Sequence, residues 1–170
     1  MLAATLFTFV GATAIAGAAC DLATLKIPNW ISLVLLALFP ALALAAGLSW
    51  SDAAVHVAVG VAALMLGVAL FAGGIIGGGD AKLFAALALY MGVQAIGPYL
   101  LAVGIAGGVL AGVLLLLRSM PVRVLLDRLS WGHEIARPGA GVPYGIAIAT
   151  GGLAVLPATQ LFALASAGGG

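Results

Sequence analysis

Two aspartates lie in apolar surroundings that offer a charged group little solvation. Asp80 follows three glycines in GGIIGGGDAKLFAALALY, residues 73–90, and Asp21 ends a long apolar run. Two carboxylates held close together cannot both ionise cheaply, so they share one proton and titrate as a unit. Such a pair can hydrolyse a peptide bond, because the ionised carboxylate takes a proton from water while the protonated one hydrogen-bonds the scissile carbonyl. This chemistry requires no metal ion and no other cofactor.

The glycines before Asp80 suit that chemistry, because Gly77, Gly78 and Gly79 have no side chains to keep a substrate backbone away. They also place Asp80 near a helix start, where a carboxylate is favoured by the helix dipole and can cap free N–H groups. A structural role is the alternative, with Asp80 only a cap and the glycines only a turn with close helix packing. Asp21 has a similar alternative, as an interfacial aspartate paired with Lys26.

Other catalytic patterns are unsupported. His133 and Glu134 lack the second histidine of an HExxH zinc site, and no serine lies in a G-x-S-x-G setting. The single cysteine, Cys20, permits neither an internal disulfide nor a CxxC metal site. His56 has only Asp52 as an acidic neighbour, so we expect an interfacial or packed histidine. The charge pattern gives no basis for nucleic-acid binding.

The elements that position these residues must be membrane helices. The 170 residues are 65% hydrophobic and only 6% charged, whereas soluble domains carry about 25% charged residues. We therefore expect an all-α integral membrane protein, with residues 1–170 forming one polytopic unit. Spans of ~20 residues are needed to cross the bilayer. Six apolar stretches predict six transmembrane helices, with a tight turn at Gly97-Pro98 between the fourth and fifth. They cover residues 2–20, 28–47, 54–76, 82–97, 98–117 and 142–165.

The placement of the charges predicts the orientation of these helices. All six Lys and Arg residues fall in connections on one side, which the positive-inside rule makes cytoplasmic. Both termini are then extracytoplasmic. Asp21 and Asp80 lie at the cytoplasmic face, and Asp52 lies at the opposite face. The basic residues are Lys26, Lys82, Arg118, Arg123, Arg128 and Arg137.

The connection 118–141 is the only sizeable polar segment. Apolar residues follow helical spacing in PVRVLLDRLSW, residues 121–131, and the charged residues fall largely on other faces. This pattern is typical of an interfacial amphipathic helix, with Trp131 as an anchor. We expect it to anchor the protein at the membrane, with a role in gripping substrate as the alternative.

Three stretches resemble, in the expected order, the motifs of one family. GGGDAKL at 77–83 resembles the GxGD signature of intramembrane aspartyl proteases, in the form found in type IV prepilin peptidases. DLATLKIPNWIS at 21–32 resembles that family's first motif, an aspartate shortly before Ile-Pro-Asn. VPYGIAIATG at 142–151 resembles the Pro-Tyr-Gly stretch that opens the last helix of its short members.

The resemblance implies that Asp21 and Asp80 are the catalytic pair of a six-helix fold in the bacterial inner membrane. The implied partners are membrane lipid and prepilins or pilin-like proteins, which would lose a short basic leader next to their hydrophobic helix. The other motif residues are candidates for substrate binding or site shaping, with helix packing as the alternative. They are Gly77, Gly78, Gly79, Lys82, Pro28, Asn29, Pro143, Tyr144 and Gly145.

The sequence departs from the larger members of that family, which carry a cytoplasmic insert with paired CxxC motifs and also N-methylate the cleaved pilin. Here only a few residues join the first two spans, so we expect no methyltransferase activity. The short form resembles the peptidases of Flp, or tight-adherence, pili. Three alternatives remain: a GxGD protease with a preflagellin-type substrate, a small proton-coupled transporter that uses the same aspartates, and a non-enzymatic assembly factor.

Overall fold

A computed structural model describes residues 1–119 and 141–167. Over these ranges the chain forms helices and no strands, which confirms the predicted all-α class. The expected amphipathic helix, residues 121–131 of the loop 118–141, lies outside the described residues. The helices are α1 (Leu2–Thr24), α2 (Asn29–Ala45), α3 (Trp50–Ala72), α4 (Gly78–Leu117), α5 (Tyr144–Val155), a 3₁₀ turn (Leu156–Ala158) and α6 (Gln160–Ala167).

Helix length and apolarity identify the candidate membrane spans among the described residues. Three helices, α1, α3 and α4, are long and apolar enough to cross a bilayer. The pair α5 and α6 makes a fourth if it counts as one span, bent by 52°. Helix α2 is apolar but shorter, at 17 residues. Together with the composition, these helices define a multi-pass membrane protein.

Helix α4 reverses direction in its middle. Gly92 has φ 62° and ψ −175°, which lies outside the helical region. The rings of Phe84 and Tyr99 stack at 5.4 Å, although fifteen residues of straight helix would separate them by about 22 Å. Helix α4 therefore consists of two antiparallel halves, which we call α4a (residues 78–91) and α4b (residues 93–117).

The tight turn predicted at Gly97-Pro98 is therefore wrong. Both residues lie within α4b, and the reversal occurs at Gly92. The φ and ψ of Gly92 belong to a region that only glycine occupies readily. Pro98 costs α4b one backbone hydrogen bond, a loss that membrane helices tolerate when neighbouring groups compensate.

His56 of α3 packs against this reversal. It is only 2% exposed, and its Nδ1 lies 2.8 Å from the carbonyl oxygen of Leu89. Because a carbonyl only accepts, Nδ1 carries the proton. The carbonyls in the last turn of a helix need partners outside it, and His56 supplies one to α4a.

The acidic neighbour expected for His56 has a different role. Asp52 lies in the first turn of α3, where Ser49 is the N-cap. The hydroxyl of Ser49 accepts the Asp52 N–H at 3.1 Å and donates to Asp52 Oδ2 at 2.7 Å. In the sequence, Asp52 could have been either part of a helix cap or a partner for His56, four residues later. The structure shows the helix cap.

The first half of α4 forms the centre of the fold, with α2, α3 and α5 packed around it. Residues 83–92 are all buried. Helix α3 approaches closely because two of its contact positions are glycine. A Cβ on Gly60 would lie 3.1 Å from Leu89 Cδ1, and one on Gly67 would lie 3.1 Å from Ala81 Cβ. Small residues at such contacts are the usual means of packing membrane helices.

The position of the reversal can be tested by two matched substitutions. Gly92→Ala forces a side chain into a strained conformation and places its Cβ 2.9 Å from the His56 ring. We expect it to lower the free energy of unfolding in detergent by about 1–3 kcal/mol or more. Gly97→Ala is the control, because a Cβ there meets nothing within 4 Å in a helical segment. It should be neutral or stabilising, by up to about 1 kcal/mol. Equal losses in both variants would contradict a reversal at Gly92.

Candidate active site

Asp21 lies inside α1 rather than in the connection after it, because the helix continues to Thr24. Its side chain is 3% exposed, and its Oδ2 accepts the backbone N–H of Gly145 at 2.7 Å. Gly145 belongs to the first turn of α5, where amides have no partner within their own helix. Asp21 of the first helix therefore caps a helix near the other end of the chain.

Asp80 lies in the first turn of α4a, near a helix start as expected. It is 7% exposed, and its Oδ2 accepts the backbone N–H of Gly77 at 3.0 Å. Its Oδ1 is buried and has no hydrogen-bond partner among the described residues. The capping role is thus present, but it engages only one of the two carboxylate oxygens.

The two aspartates converge at the start of α5. Asp21 lies close enough to Asp80 for its charge to act on the Asp80 carboxyl, and the Gly145 N–H donates to Asp21 Oδ2. Each carboxylate lies at the positive end of a helix dipole, α4a for Asp80 and α5 for Asp21, which offsets part of the cost of burying charge. Two carboxylates this close are costly to ionise together, so the arrangement is one that can share a proton and activate water, the chemistry predicted from the sequence.

Ile27, in the connection between α1 and α2, fills the space beside this pair. It packs against Gly79, where a Cβ would lie 3.0 Å from Ile27 Cβ and 3.2 Å from its carbonyl oxygen. It also packs against Gly145, where a Cβ would lie 2.9 Å from Ile27 Cδ1 and 2.8 Å from Asp21 Oδ2. Glycine at both positions lets α4a and α5 approach the same isoleucine closely.

The three consecutive glycines have different surroundings. A Cβ on Gly77 would lie 2.8 Å from Asp80 Oδ2. A Cβ on Gly78 would make only an ordinary contact, 3.5 Å from the ring of Phe71. We expected these glycines to admit a substrate backbone, whereas the contacts of Gly77 and Gly79 are with this chain's own Asp80 and Ile27. Contacts within the chain are therefore sufficient to explain why residues 77 and 79 are glycines.

Two further motif residues bind each other. Lys82 Nζ donates to Asn29 Oδ1 at 2.8 Å, which links the start of α4a to the start of α2. Pro28 is the N-cap residue of α2, with φ −62°, just before the helical turn in which it was expected. Neither Lys82 nor Asn29 hydrogen-bonds to Asp21 or Asp80 in the described part of the chain.

In the Pro-Tyr-Gly stretch, Gly145 is the residue that hydrogen-bonds to an aspartate. Pro143 is buried and precedes α5 as its N-cap residue, and Tyr144 packs partly buried against the core. The use of the Gly145 N–H as a partner for Asp21 was not recognised from the sequence. The sequence feature that could have indicated this contact is a proline at a helix start followed two residues later by a glycine. The first amides of a helix have no partner within the helix and can bind a carboxylate.

The basic residues among those described gather at this end of the bundle. Lys82 is two residues from Asp80, and Lys26 precedes Ile27. Arg118 Nη2 donates to the carbonyl of Gly141 at 3.0 Å, which brings the end of α4b to the chain leading into α5. The site therefore lies at the positively charged end of the molecule.

The fold and the site together define a multi-pass membrane protein with a buried aspartate pair at one end. A family model described as the type IV leader peptidase family matches residues 8–116. The match spans more than half of the 170 residues and includes both Asp21 and Asp80. The chain belongs to the type IV leader peptidase family, which makes it a protease. Neither the curated proteins nor the solved structures compared with the chain gave a match.

The contact between Gly145 and Asp21 predicts a strong effect of one methyl group. Gly145→Ala should displace the Asp21 carboxylate, because its Cβ would lie 2.8 Å from Oδ2. Misplacing a reacting group by about 1 Å can cost on the order of 100-fold in rate, so we expect peptidase activity to fall by about that factor. Activity at equal membrane levels is the measurement. The control is Gly107→Ala, whose Cβ makes an ordinary 3.8 Å contact with Ala147. If both variants stay near wild type, Gly145 does not position Asp21.

Proposed function

We propose that this protein is an aspartic endopeptidase of the bacterial inner membrane. It removes the short basic leader from Flp-type prepilins and pilin-like proteins. The observation that carries the proposal is that Asp21 and Asp80 are both buried at the same end of the bundle, where the charge of Asp21 acts on the Asp80 carboxyl and the Gly145 N–H donates to Asp21. The motifs around both aspartates resemble those of short prepilin peptidases.

The pair acts through one shared proton. The ionised carboxylate takes a proton from water, and the water oxygen attacks the carbonyl carbon of the scissile peptide bond. The protonated carboxyl hydrogen-bonds the carbonyl oxygen and stabilises the negative charge that develops there. As the tetrahedral intermediate collapses, the departing amine takes a proton from the pair. Gly145 and Gly77 hold one oxygen of Asp21 and Asp80 respectively, and neither aspartate is assigned a fixed role.

The reversal at Gly92 supports a six-pass topology. With α4a and α4b counted separately, the passes are α1, α2, α3, α4a, α4b and the bent pair α5 with α6. Lys26, Lys82 and Arg118 lie at the end that contains the aspartates, which the positive-inside rule makes cytoplasmic. Both termini then lie outside the cytoplasm. A substrate helix in the bilayer would present its basic leader on the side where the aspartates lie.

The short connection between α1 and α2 supports leader cleavage without methylation. Only Leu25, Lys26, Ile27 and Pro28 separate the two helices, so there is no insert of the kind that accompanies N-methylation in larger members. A proton-coupled transporter is less well supported, because relay groups should be spread through the membrane depth. Asp21 and Asp80 share one end, and Asp52 lies at the start of α3 at the other.

The aspartate pair can be tested in membranes that contain a co-expressed Flp-type prepilin. Asp21→Asn and Asp80→Asn should each lower leader cleavage by about a thousandfold or more, because removing one member of a catalytic unit costs nearly as much as removing all of it. Loss of the leader on a gel is the measurement.

Asp52→Asn is the matched control, since Asp52 is an aspartate in a first helical turn at the opposite end. It should cleave at the wild-type rate. Undiminished cleavage by a well-inserted Asp80→Asn protein would overturn the proposal. An uncut prepilin with the wild-type enzyme would overturn the proposed substrate.

A further inference from the structure

A groove of about 950 Å³ runs along one side of the described bundle. Its walls are α2 and α3, and its floor is α4a. The two wall helices meet where the Phe39 and His56 rings pack 5.8 Å apart, but they make little other contact. The floor is lined by Ala85, Ala86 and Leu89. The groove therefore runs between two separated helices, with buried residues of the central helix at its base.

The dimensions of the groove suit one helix. Its lining residues run from Asn29 to Leu44 on α2 and from Trp50 to Leu64 on α3, each stretch rising about 22 Å. That length accepts about four helical turns. The walls present large exposed apolar side chains, and the floor is mainly alanine. A floor of small residues is the surface that membrane helices use for close packing.

One end of the groove is charged. Lys82 and Asn29 line the groove at this end. Lys82 is two residues after Asp80 in the sequence. In the described part of the chain Lys82 bonds only to the neutral oxygen of Asn29. A helix laid in the groove would cover the Lys82 ammonium, and covering a cation without a counter-charge is costly. The complementary occupant is an apolar helix with a carboxylate at the level of Lys82.

We propose that this groove binds the hydrophobic helix of the peptidase's own substrate, with a carboxylate near the leader end of that helix paired with Lys82. The proposal rests on the proposed function and adds where the substrate lies. The first turn of a helix seated here lies beside Lys82. The extended residues that precede it then reach the aspartate pair, because Asp80 is only two residues before Lys82 at the start of α4a.

The first test narrows the groove. Val57 lines it and is 47% exposed, whereas Val55 is 43% exposed on the same helix but does not line it. In liposomes with a Flp-type prepilin, Val57→Trp should lower cleavage about tenfold or more through a higher KM, because overpacking a contact is costly. Val55→Trp should cleave like wild type. Equal cleavage by the two variants overturns the groove, whereas an inactive wild type would overturn the proposed function instead.

The second test exchanges charges across the contact. Lys82→Glu should slow cleavage of the wild-type prepilin. A prepilin that carries a lysine at the position the proposal places beside residue 82 should restore most of the loss. Lys26→Glu, a matched change outside the groove, should not respond to the altered prepilin. Absence of rescue for Lys82→Glu overturns the ion pair.

The third test does not depend on turnover. A photo-crosslinking side chain is placed at Leu36 in the Asp80→Asn protein, and at Leu101 of α4b as the control. Both leucines are exposed, but only Leu36 lines the groove. We expect uncleaved prepilin to crosslink at Leu36 and not at Leu101. Crosslinks to lipid alone at both positions would assign the groove to lipid and overturn the proposal.

Discussion

A buried carboxylate in an apolar protein persists only where hydrogen-bond donors reach it, and the end of this molecule that contains Asp21 and Asp80 is organised by that requirement. The donors for Asp21 and Asp80 are backbone N–H groups at two helix starts, those of Gly145 and Gly77. At both positions a Cβ would lie 2.8 Å from the accepting oxygen. The glycines are therefore inseparable from the aspartates, and the meeting of α1, α4a and α5 follows from one set of contacts.

The same contacts explain why α4a is central. Ile27 lies against Gly79 of α4a and Gly145 of α5, so the connection after α1 fixes the relative positions of both carboxylates. On the other side, Gly60 and Gly67 bring α3 against α4a. With α4a held by neighbours on these sides, α2 and α3 separate along its remaining face. The open groove is thus a result of where the glycines allow close packing.

The sequence predicted the all-α class and the placement of both aspartates near helix ends, because hydropathy and charge patterns depend on local composition. It did not predict the reversal. Glycine at residue 92 and the Gly97-Pro98 pair are both residue types that can interrupt a helix. Which of them reverses the chain depends on His56, which is distant in sequence and packs against Gly92. The bond from Gly145 to Asp21 was likewise not predicted, since it joins residues near opposite ends of the chain. The catalytic roles of both aspartates remain predictions.

The reversal at Gly92 also affects how the molecule sits in lipid. The fourteen residues of α4a rise about 21 Å, less than the ~30 Å of bilayer hydrocarbon. In the proposed topology, which has Asp80 at one membrane surface, Gly92 lies within the hydrocarbon, where irregular backbone is tolerated only when protein surrounds it. Gly92 is buried, and His56 bonds the carbonyl of nearby Leu89. In the proposed six-pass topology α4a is therefore a short pass, and the depth of its reversal is set by an internal anchor rather than by the thickness of the surrounding lipid.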